Sequence, residues 1–294
     1  MIKVEPILDI LETGLWTGKL AKEKPLSILL IASVGDGKSE ALRKAYTPPN
    51  IRTEWAKGKD GGVTGEKIQI VTQVGTVLYT TDTTPYILHN KYGDILKSGQ
   101  VKHIVIPDFL SILTKGKDAM PDTIRFYNAL IEEGICRIES KKSDFVVTVP
   151  VQIGLITAVS SQDYVDRSQQ QKWGNFGFIS RILPVSYRYT EESKVQIRRS
   201  AYLREYHNEQ PFELNFPVEQ VYVELPPKYL HKVDRLANDL KDTTDDAGAR
   251  RMKQLTTFVM GYTLKKGRDI VSDEDIEALL YYAKFFNAKC TVEL

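Results

Sequence analysis

Residues 28–39 read Ile-Leu-Leu-Ile-Ala-Ser-Val-Gly-Asp-Gly-Lys-Ser, an apolar run that leads into a loop of small residues. The apolar run is typical of a strand buried on both faces, and residues 40–46 after the loop have helical character. A strand, a small-residue loop ending in Gly-Lys-Ser and a helix follow one another in phosphate-binding P-loops. The alternative is a chance Gly-Lys-Ser at a helix start, and the flanking strand and helix favour the P-loop.

The loop residues indicate how a nucleotide would be held. Backbone N–H groups of the loop would point at phosphate oxygens, and the helix N-terminus would add partial positive charge. Lys38 would reach the outer phosphates, and the Ser39 hydroxyl would hold Mg²⁺. Ala32 stands where a P-loop has its first Gly, and Ala is small enough for a tight turn if φ stays negative. The predicted nucleotide-binding residues of this loop are Ser33, Val34, Gly35, Asp36, Gly37, Lys38 and Ser39.

A second strand-like segment ends in an acidic residue. Residues 103–106 are His-Ile-Val-Ile, and Pro107 and Asp108 follow them. Ligands of open parallel sheets bind outside the carboxyl ends of the strands, where an acidic side chain can hold Mg²⁺ or orient an attacking water. We therefore predict a site role for Asp108. The alternative is a core strand that simply ends at Pro-Asp.

The totals limit the class of protein. A chain of 294 residues suits one large domain or a core with a smaller domain. No apolar stretch approaches the roughly 20 residues that span a bilayer, and residues 1–6 do not resemble a signal peptide. Cys136 and Cys290 alone cannot form a disulfide framework or a zinc site, so we expect a reducing, cytoplasmic setting without a membrane. The net charge of +2 does not indicate a nucleic-acid partner, and binding to one would need a local basic patch.

The rest of the chain alternates between helical and strand-like patterns. Residues 47–66 are rich in Pro, Gly, Lys and Asp, and we predict a long loop or mobile insertion there. Two alternating segments around a polar turn predict a β-hairpin at residues 135–149, with Lys141 and Lys142 at its tip. Other predicted helices lie at 4–20, 87–96, 122–133 and 191–204, and other strands lie at 67–79 and 154–161. The pattern after Pro226 and Pro227 is helical, at 228–240, 249–264 and 272–286, with Ser272 as a helix cap.

Arg181 stands inside the apolar segment 178–185. A buried Arg costs several kcal/mol unless it is paired. Arg181 therefore either forms an internal ion pair or points at an anion across a surface, and the sequence leaves both open.

The order of these elements resembles the AAA+ ATPases, and more narrowly the branch that contains the minichromosome maintenance helicases. The resemblance covers most of residues 5–285 as scattered short blocks. That branch has a helix before the P-loop strand, a degenerate P-loop ending in Lys-Ser, and an acidic strand ending in Asp-Glu-Phe, where this chain has residues 107–109. A hairpin then precedes a strand ending in Ala-Asn-Pro-like residues, matched by 158–161, and Leu-Ser-Arg-Phe is close to 179–182.

The resemblance implies an α/β fold of the P-loop NTPase (AAA+) type, with a three-layer core around a parallel sheet and a small helical lid. The core would span residues 1–225 with a pre-sensor hairpin at about 135–150, and the lid would span 226–294. ATP and Mg²⁺ are the implied ligands, and a homo-oligomeric, hexameric ring is the implied assembly. The implied roles are catalysis and metal binding for Asp108, water or γ-phosphate positioning for Ser160, an arginine finger for Arg181, and a nucleotide contact for Arg250 or Arg251.

Three departures from the family pattern weaken the prediction of ATP hydrolysis more than that of nucleotide binding. Pro107 replaces the Asp that supports Mg²⁺, Asp108 stands where the family has its catalytic Glu, and Ser160 replaces an Asn. A carboxylate shorter by one methylene reaches its water only if the strand end shifts by about an ångström.

Three hypotheses follow for the function. The first is a DNA-translocating or helicase-like ATPase in which Lys141 and Lys142 grip a phosphate backbone, with a partner protein for loading or specificity. The alternative is a structural role, in which these lysines only keep an exposed hairpin tip soluble. The second hypothesis is a nucleotide-switched assembly protein with slow or no hydrolysis. The third is a protein-remodelling ATPase, although such proteins usually grip with aromatic residues.

Overall fold

The computed structural model describes residues 4–46, 50–57, 63–73, 76–81, 85–110, 119–140, 143–169, 177–203, 211–240, 248–288 and 291–294. The helices are α1 (Glu5–Trp16), α2 (Lys38–Arg43), α3 (Pro85–Lys97), α4 (Ala119–Asn128), α5 (Ser161–Gln169), α6 (Phe178–Arg181), α7 (Glu191–Tyr202), α8 (Leu230–Leu240), α9 (Ala249–Lys265) and α10 (Asp273–Ala283). The strands are β1 (Ile28–Ala32), β2 (Asn50–Lys57), β3 (Val63–Gln73), β4 (Val77–Tyr79), β5 (His103–Ile106), β6 (Ile135–Ser140), β7 (Ser143–Val151), β8 (Gly154–Ser160), β9 (Leu183–Arg188) and β10 (Val292–Glu293).

Six strands form one parallel sheet in the order β10-β9-β1-β8-β5-β4. In β1, Ile28 and Leu30 pack into the apolar cluster on one face of the sheet, whereas Leu29 and Ile31 pack into the cluster on the other face. Parallel sheets are covered by helices on both faces because their connections cross over them. The α/β class with a parallel sheet is confirmed, as is the strand buried on both faces.

The first cluster is covered by α1 and by the C-terminal helices α9 and α10. Lys265 of α9 forms ion pairs with Asp9 and with Glu12 of α1, the latter at 2.5 Å, and the Tyr282 hydroxyl of α10 donates a hydrogen bond to Asp9. These contacts fix the C-terminal helices on α1. The end of the chain returns to the sheet, where β10 pairs with β9.

The predicted cap at Ser272 is confirmed, and Asp275 and Arg268 hold it in place. Asp275 is fully buried and accepts the Ser272 backbone N–H at 2.8 Å, which closes a capping box at the start of α10. Arg268 donates to the other Asp275 oxygen at 2.6 Å and so compensates the buried charge. A buried carboxylate is tolerated when it is paired and hydrogen-bonded in this way.

The second cluster lies beneath α3, α4 and α6, and a π-helical turn (Ala129–Glu133) extends α4. Here the predicted hairpin is confirmed, because β6 and β7 pair antiparallel with Ser140 opposite Ser143. Lys141 and Lys142 at its tip lie outside the described residues. The antiparallel pairing thus establishes the backbone of the hairpin, and the DNA contact of its lysines stays a prediction.

The long loop predicted at 47–66 is wrong over the parts that the structure describes. Strand β2 and the beginning of β3 pair antiparallel across residues 50–57 and 63–73. The sequence carries the signal, since apolar or β-branched residues at 51, 53 and 55 alternate with charged residues at 52 and 54. The Pro- and Gly-rich flanks of this segment obscured that alternation.

His103, at the start of β5, is a buried imidazole that we expect to make stability depend on pH. Its Nε2 lies 3.2 Å from the Leu26 carbonyl oxygen, and a Cβ added to Gly154 would come within 2.6 Å of the ring. Burial lowers the pKa of His103 from 6.5 to about 3. Because the unfolded chain takes up the proton first, stability is lost as the pH falls below 6.5, at about 1.4 kcal/mol per pH unit.

We therefore predict that, when the pH is lowered from 7 to 5, the free energy of unfolding falls by about 2 kcal/mol less in His103→Gln than in the unsubstituted chain. Glutamine keeps a donor for Leu26 but does not titrate. Urea unfolding at the two pH values measures the difference, with the exposed His231→Gln as the matched control. Equal pH dependence in His103→Gln and His231→Gln would contradict a buried, neutral His103.

Candidate nucleotide site

Three adjacent strand ends bring the glycine loop, Ser160 and Asp108 to one edge of the sheet. Strand β8 lies between β1 and β5, and all three run in the same direction. The register sets Ala32 opposite Ser160 at the ends of β1 and β8, and Asp108 follows the end of β5. The glycine loop, Ser160 and Asp108 therefore share the carboxyl edge, which is where ligands bind in such sheets.

The loop after β1 has a backbone shape that only glycine adopts easily. Gly35 has φ = 87° and Gly37 has φ = 73°, both in the left-handed region. A Cβ at Gly35 would meet nothing within 4 Å, so conformation rather than space requires glycine there. Gly37 precedes the first residue of α2, whose first backbone N–H groups have no partner within the helix.

The Lys38 side chain folds back over the end of β1. Its ammonium donates to the Ala32 carbonyl oxygen at 2.9 Å and to the Ser33 carbonyl oxygen at 2.7 Å. Burial lowers the pKa of Lys38, and the negative charges of Asp36, Asp108 and Asp163 oppose that shift. The Lys38 ammonium is thus held by two neutral carbonyl groups, and three carboxylates lie close enough for their charge to act on it.

Asp36 differs from the other loop residues because its side chain faces inward. It is 2% exposed, whereas Ser33, Val34 and Ser39 are exposed. Burial raises the pKa of its carboxyl, and the charge of Lys194, followed by hydrogen bonds from the backbone of Ser33 and Tyr189, opposes that shift. The Asp36 carboxyl therefore supports the loop from below, and only its backbone remains available for the predicted nucleotide contact.

Ser160 forms a reciprocal pair with Asp163, in the first turn of α5. The Ser160 hydroxyl donates to the Asp163 carboxylate at 2.5 Å and accepts the Asp163 backbone N–H at 3.0 Å. The sequence analysis missed Asp163. Its signal is the spacing of residues 160–163, Ser-Ser-Gln-Asp, which is that of a helix-capping box.

Asp108 is exposed, and its carboxylate accepts the Leu110 backbone N–H at 3.0 Å. The described residues include no group of three or more His, Cys, Asp or Glu side chains that could hold a metal by themselves. Mg²⁺ bound with a nucleotide needs fewer protein ligands, since it keeps waters and takes one or two protein groups plus phosphates. The exposed Ser39 hydroxyl and the Asp108 carboxylate fit that requirement.

Arg181 lies at the opposite, amino edge of the sheet. It comes just before β9, whose first N–H binds the Ser27 carbonyl oxygen before β1. The five residues of β1 separate that edge from the loop by on the order of 13 Å. Arg181 Nε lies 3.5 Å from a Glu132 carboxylate oxygen, and its Nη1 donates to the Gly177 carbonyl oxygen at 2.7 Å. Within one chain, Arg181 thus has an internal ion pair.

Arg250 and Arg251, at the start of α9, lie at the same amino edge and not at the loop. Arg250 Nε is 4.0 Å from Glu132, and its Nη1 donates to the Ser180 hydroxyl at 3.2 Å. Arg251 is buried and donates to the Gln254 side chain at 2.8 Å. A cleft opens here, and the sequence analysis missed the acidic residue that lines it, Glu132. The cleft is lined by charged residues that include Lys24, Glu132, Arg181, Arg250 and Lys253.

No protein-family model matches this chain, and comparison with curated proteins found no significant match. Within the described ranges, none of the helices has both the length and the apolar character needed to cross a bilayer. The function is therefore proposed from the fold and from the two edges of its sheet.

Proposed function

We propose that this chain is an oligomeric, Mg²⁺-dependent ATPase of the AAA+ type that moves along or unwinds DNA. The observation that carries the proposal is the meeting of Lys38, Ser39, Asp108 and Ser160 at the carboxyl ends of adjacent parallel strands. A cation on a glycine loop suits phosphate oxygens, and a hydroxyl with a carboxylate suits the accompanying metal.

Each residue at this edge has a distinct task in the proposal. Lys38 would exchange its two carbonyl partners for phosphate oxygens of ATP, which carry full negative charge and bind a cation more strongly. Ser39 and Asp108 would hold Mg²⁺, which neutralises charge on the phosphates when it is bound. The loop N–H groups would orient the phosphates, and the inward carboxyl of Asp36 would keep the loop in shape.

The separation of the two edges supports an oligomer. The glycine loop and Arg181 lie at opposite ends of β1, so Arg181 could reach a nucleotide only in a neighbouring copy. A head-to-tail contact would set the amino edge, with Lys24, Arg181 and Arg250, against a carboxyl edge that carries Asp108. Contacts of this heterologous kind close into rings when the rotation between copies is suitable.

The DNA-directed part of the proposal depends on the hairpin formed by β6 and β7. Its backbone pairing supports a hairpin at the chain position expected from the family resemblance. Lysines at its turn would contact the phosphate backbone without reading the sequence, so the contact would weaken as salt increases.

A nucleotide-switched assembly protein is the second candidate. It is favoured by Pro107, which removes one acidic group from the strand end that carries Asp108. Such a protein would bind ATP and assemble while hydrolysing it slowly.

ATP hydrolysis by the purified chain tests the proposal directly. We expect turnover that single-stranded or double-stranded DNA stimulates, and that Lys38→Ala abolishes because the variant lacks the loop cation that would bind the outer phosphates. Lys232→Ala, which removes an exposed lysine of α8, is the matched control and should leave turnover unchanged. ATP binding without turnover under every condition would contradict the motor and leave the switch.

A further inference from the structure

The Ser160 hydroxyl has one proton, and that proton is committed to Asp163. Ser160 Oγ donates to Asp163 Oδ2 and accepts the Asp163 backbone N–H. A serine hydroxyl has one donor position and two acceptor positions. In this arrangement Ser160 cannot donate a hydrogen bond to a phosphate oxygen, which offers only acceptors. The role expected for a residue at this strand end must therefore fall at least partly to another group.

The adjacent Asp163 carboxylate has an oxygen that can still accept a hydrogen bond. Its bond with Ser160 engages Oδ2, and among the described residues no hydrogen bond reaches Oδ1. Asp163 is partly exposed and comes three residues after the end of β8, which lies between the glycine-loop strand and the strand that ends before Asp108. Asp163 therefore lies at the carboxyl edge, close enough to Lys38 for its charge to act on the ammonium, and this is the edge at which an attacking water would be held.

The other two carboxylates near Lys38 are less suited to this task. The Asp36 side chain is buried and binds the backbone N–H groups of Ser33 and Tyr189. Asp108 is the carboxylate that the proposed function assigns to Mg²⁺, since Pro107 has none. A carboxylate bound to a divalent cation is a poor proton acceptor, because the cation stabilises its charged form. One acid cannot serve both the metal and the water well.

We propose that Asp163, and not Ser160, is the catalytic residue that orients the attacking water, an inference that rests on the proposed ATPase function. In the hydrolytic step, the water oxygen forms a bond to the γ-phosphorus while the bond from that phosphorus to the bridging oxygen of ADP breaks. The proton that the water loses passes to Asp163 Oδ1, and ADP and inorganic phosphate leave. Ser160 holds the carboxylate in place through Oδ2.

Steady-state ATP turnover of Asp163→Asn tests this assignment. The amide oxygen still accepts the Ser160 hydroxyl, so the start of α5 keeps its bond, but the side chain no longer takes a proton. We expect kcat to fall by about 10²-fold or more. ATP affinity, measured by titration with a fluorescent ATP analogue, should stay within about threefold, because Lys38 and the loop are untouched. Asp163→Glu should recover part of kcat.

Two comparisons separate catalysis from structure. Asp166→Asn, on the same helix and exposed, is the matched control and should leave kcat unchanged. Ser160→Ala should lower kcat less than Asp163→Asn does. A parallel fall in melting temperature and nucleotide affinity in Asp163→Asn would instead assign Asp163 a structural role and overturn the inference.

The outcomes also distinguish this inference from the proposed function. Turnover that requires Lys38 but is the same in Asp163→Asn and Asp166→Asn would overturn the role of Asp163 alone. A larger loss in Ser160→Ala than in Asp163→Asn would assign the water to the hydroxyl. Absence of turnover in the unsubstituted chain would overturn the ATPase and the inference together.

Discussion

Arg181→Ala is expected to lower ATP turnover by about 10³-fold while leaving the affinity of an isolated chain for ATP unchanged. The reason is the distance between the two edges of the sheet. Arg181 pairs with Glu132 at the amino edge, and the glycine loop lies at the carboxyl edge of the same chain. A guanidinium there can stabilise transition-state charge only at a nucleotide held by a neighbouring copy. Initial rates and single-chain ATP titrations measure the two quantities.

Mixing two inactive variants makes this test sharper. An Arg181→Ala copy keeps its Lys38, and a Lys38→Ala copy keeps its Arg181, so an interface formed between them can contain one complete site. We expect the mixture to recover part of the turnover that neither variant has alone. Arg235→Ala, an exposed arginine of α8, is the control and should be active by itself. A mixture as inactive as its components would contradict action between copies.

The same substitution also separates the two roles that the sequence left open for Arg181. If the ion pair with Glu132 were its whole purpose, Arg181→Ala would lower stability, since Glu132 would lose a partner in a partly buried setting. Glu132 keeps Lys24 and Arg250 nearby, so that loss should be small. Unchanged turnover, with only that small fall in melting temperature, would favour the structural role.

The parts of the molecule set by local pattern could be predicted from the sequence. The apolar run of β1 and the alternating segments of β6 and β7 specify their own backbone through burial and side-chain period. The meeting of the glycine loop, Ser160 and Asp108 also follows, because the carboxyl ends of adjacent parallel strands share an edge. The shared edge needs only strand direction, whereas the place of β8 between β1 and β5 does not follow from chain order, and Ser160 was expected there from the family resemblance.

The orientation of individual side chains could not be predicted in this way. Asp36 looks like any other loop residue in the sequence, yet it faces inward because backbone N–H groups of Ser33 and Tyr189 meet its carboxyl there. Arg250 depends on how α9 docks beside Ser180, which is a tertiary contact between distant segments. Asp163 has a capping pattern, but its position near Lys38 appears only when β8 is placed beside β1.

Asp108→Asn is expected to lower turnover by about 10²-fold and to raise the Mg²⁺ concentration needed for half-maximal rate. Asparagine keeps the volume and the acceptor for the Leu110 N–H, but it has no negative charge for the metal. Turnover across a Mg²⁺ titration measures both effects. Asp94→Asn, at an exposed position of α3, is the matched control.

The comparison of Asp108→Asn with Asp163→Asn tests how the two carboxylates divide the work. If Asp108 serves the metal and Asp163 serves the water, only Asp108→Asn should shift the Mg²⁺ dependence. ATP-dependent assembly, followed by sedimentation velocity, should survive in both variants because the glycine loop is intact. In a motor, both variants would lose DNA-stimulated turnover while they still assemble. In a nucleotide switch, assembly would be unchanged and there would be little turnover to lose. Unchanged turnover in Asp108→Asn would contradict the metal role and move that task to another group at the edge.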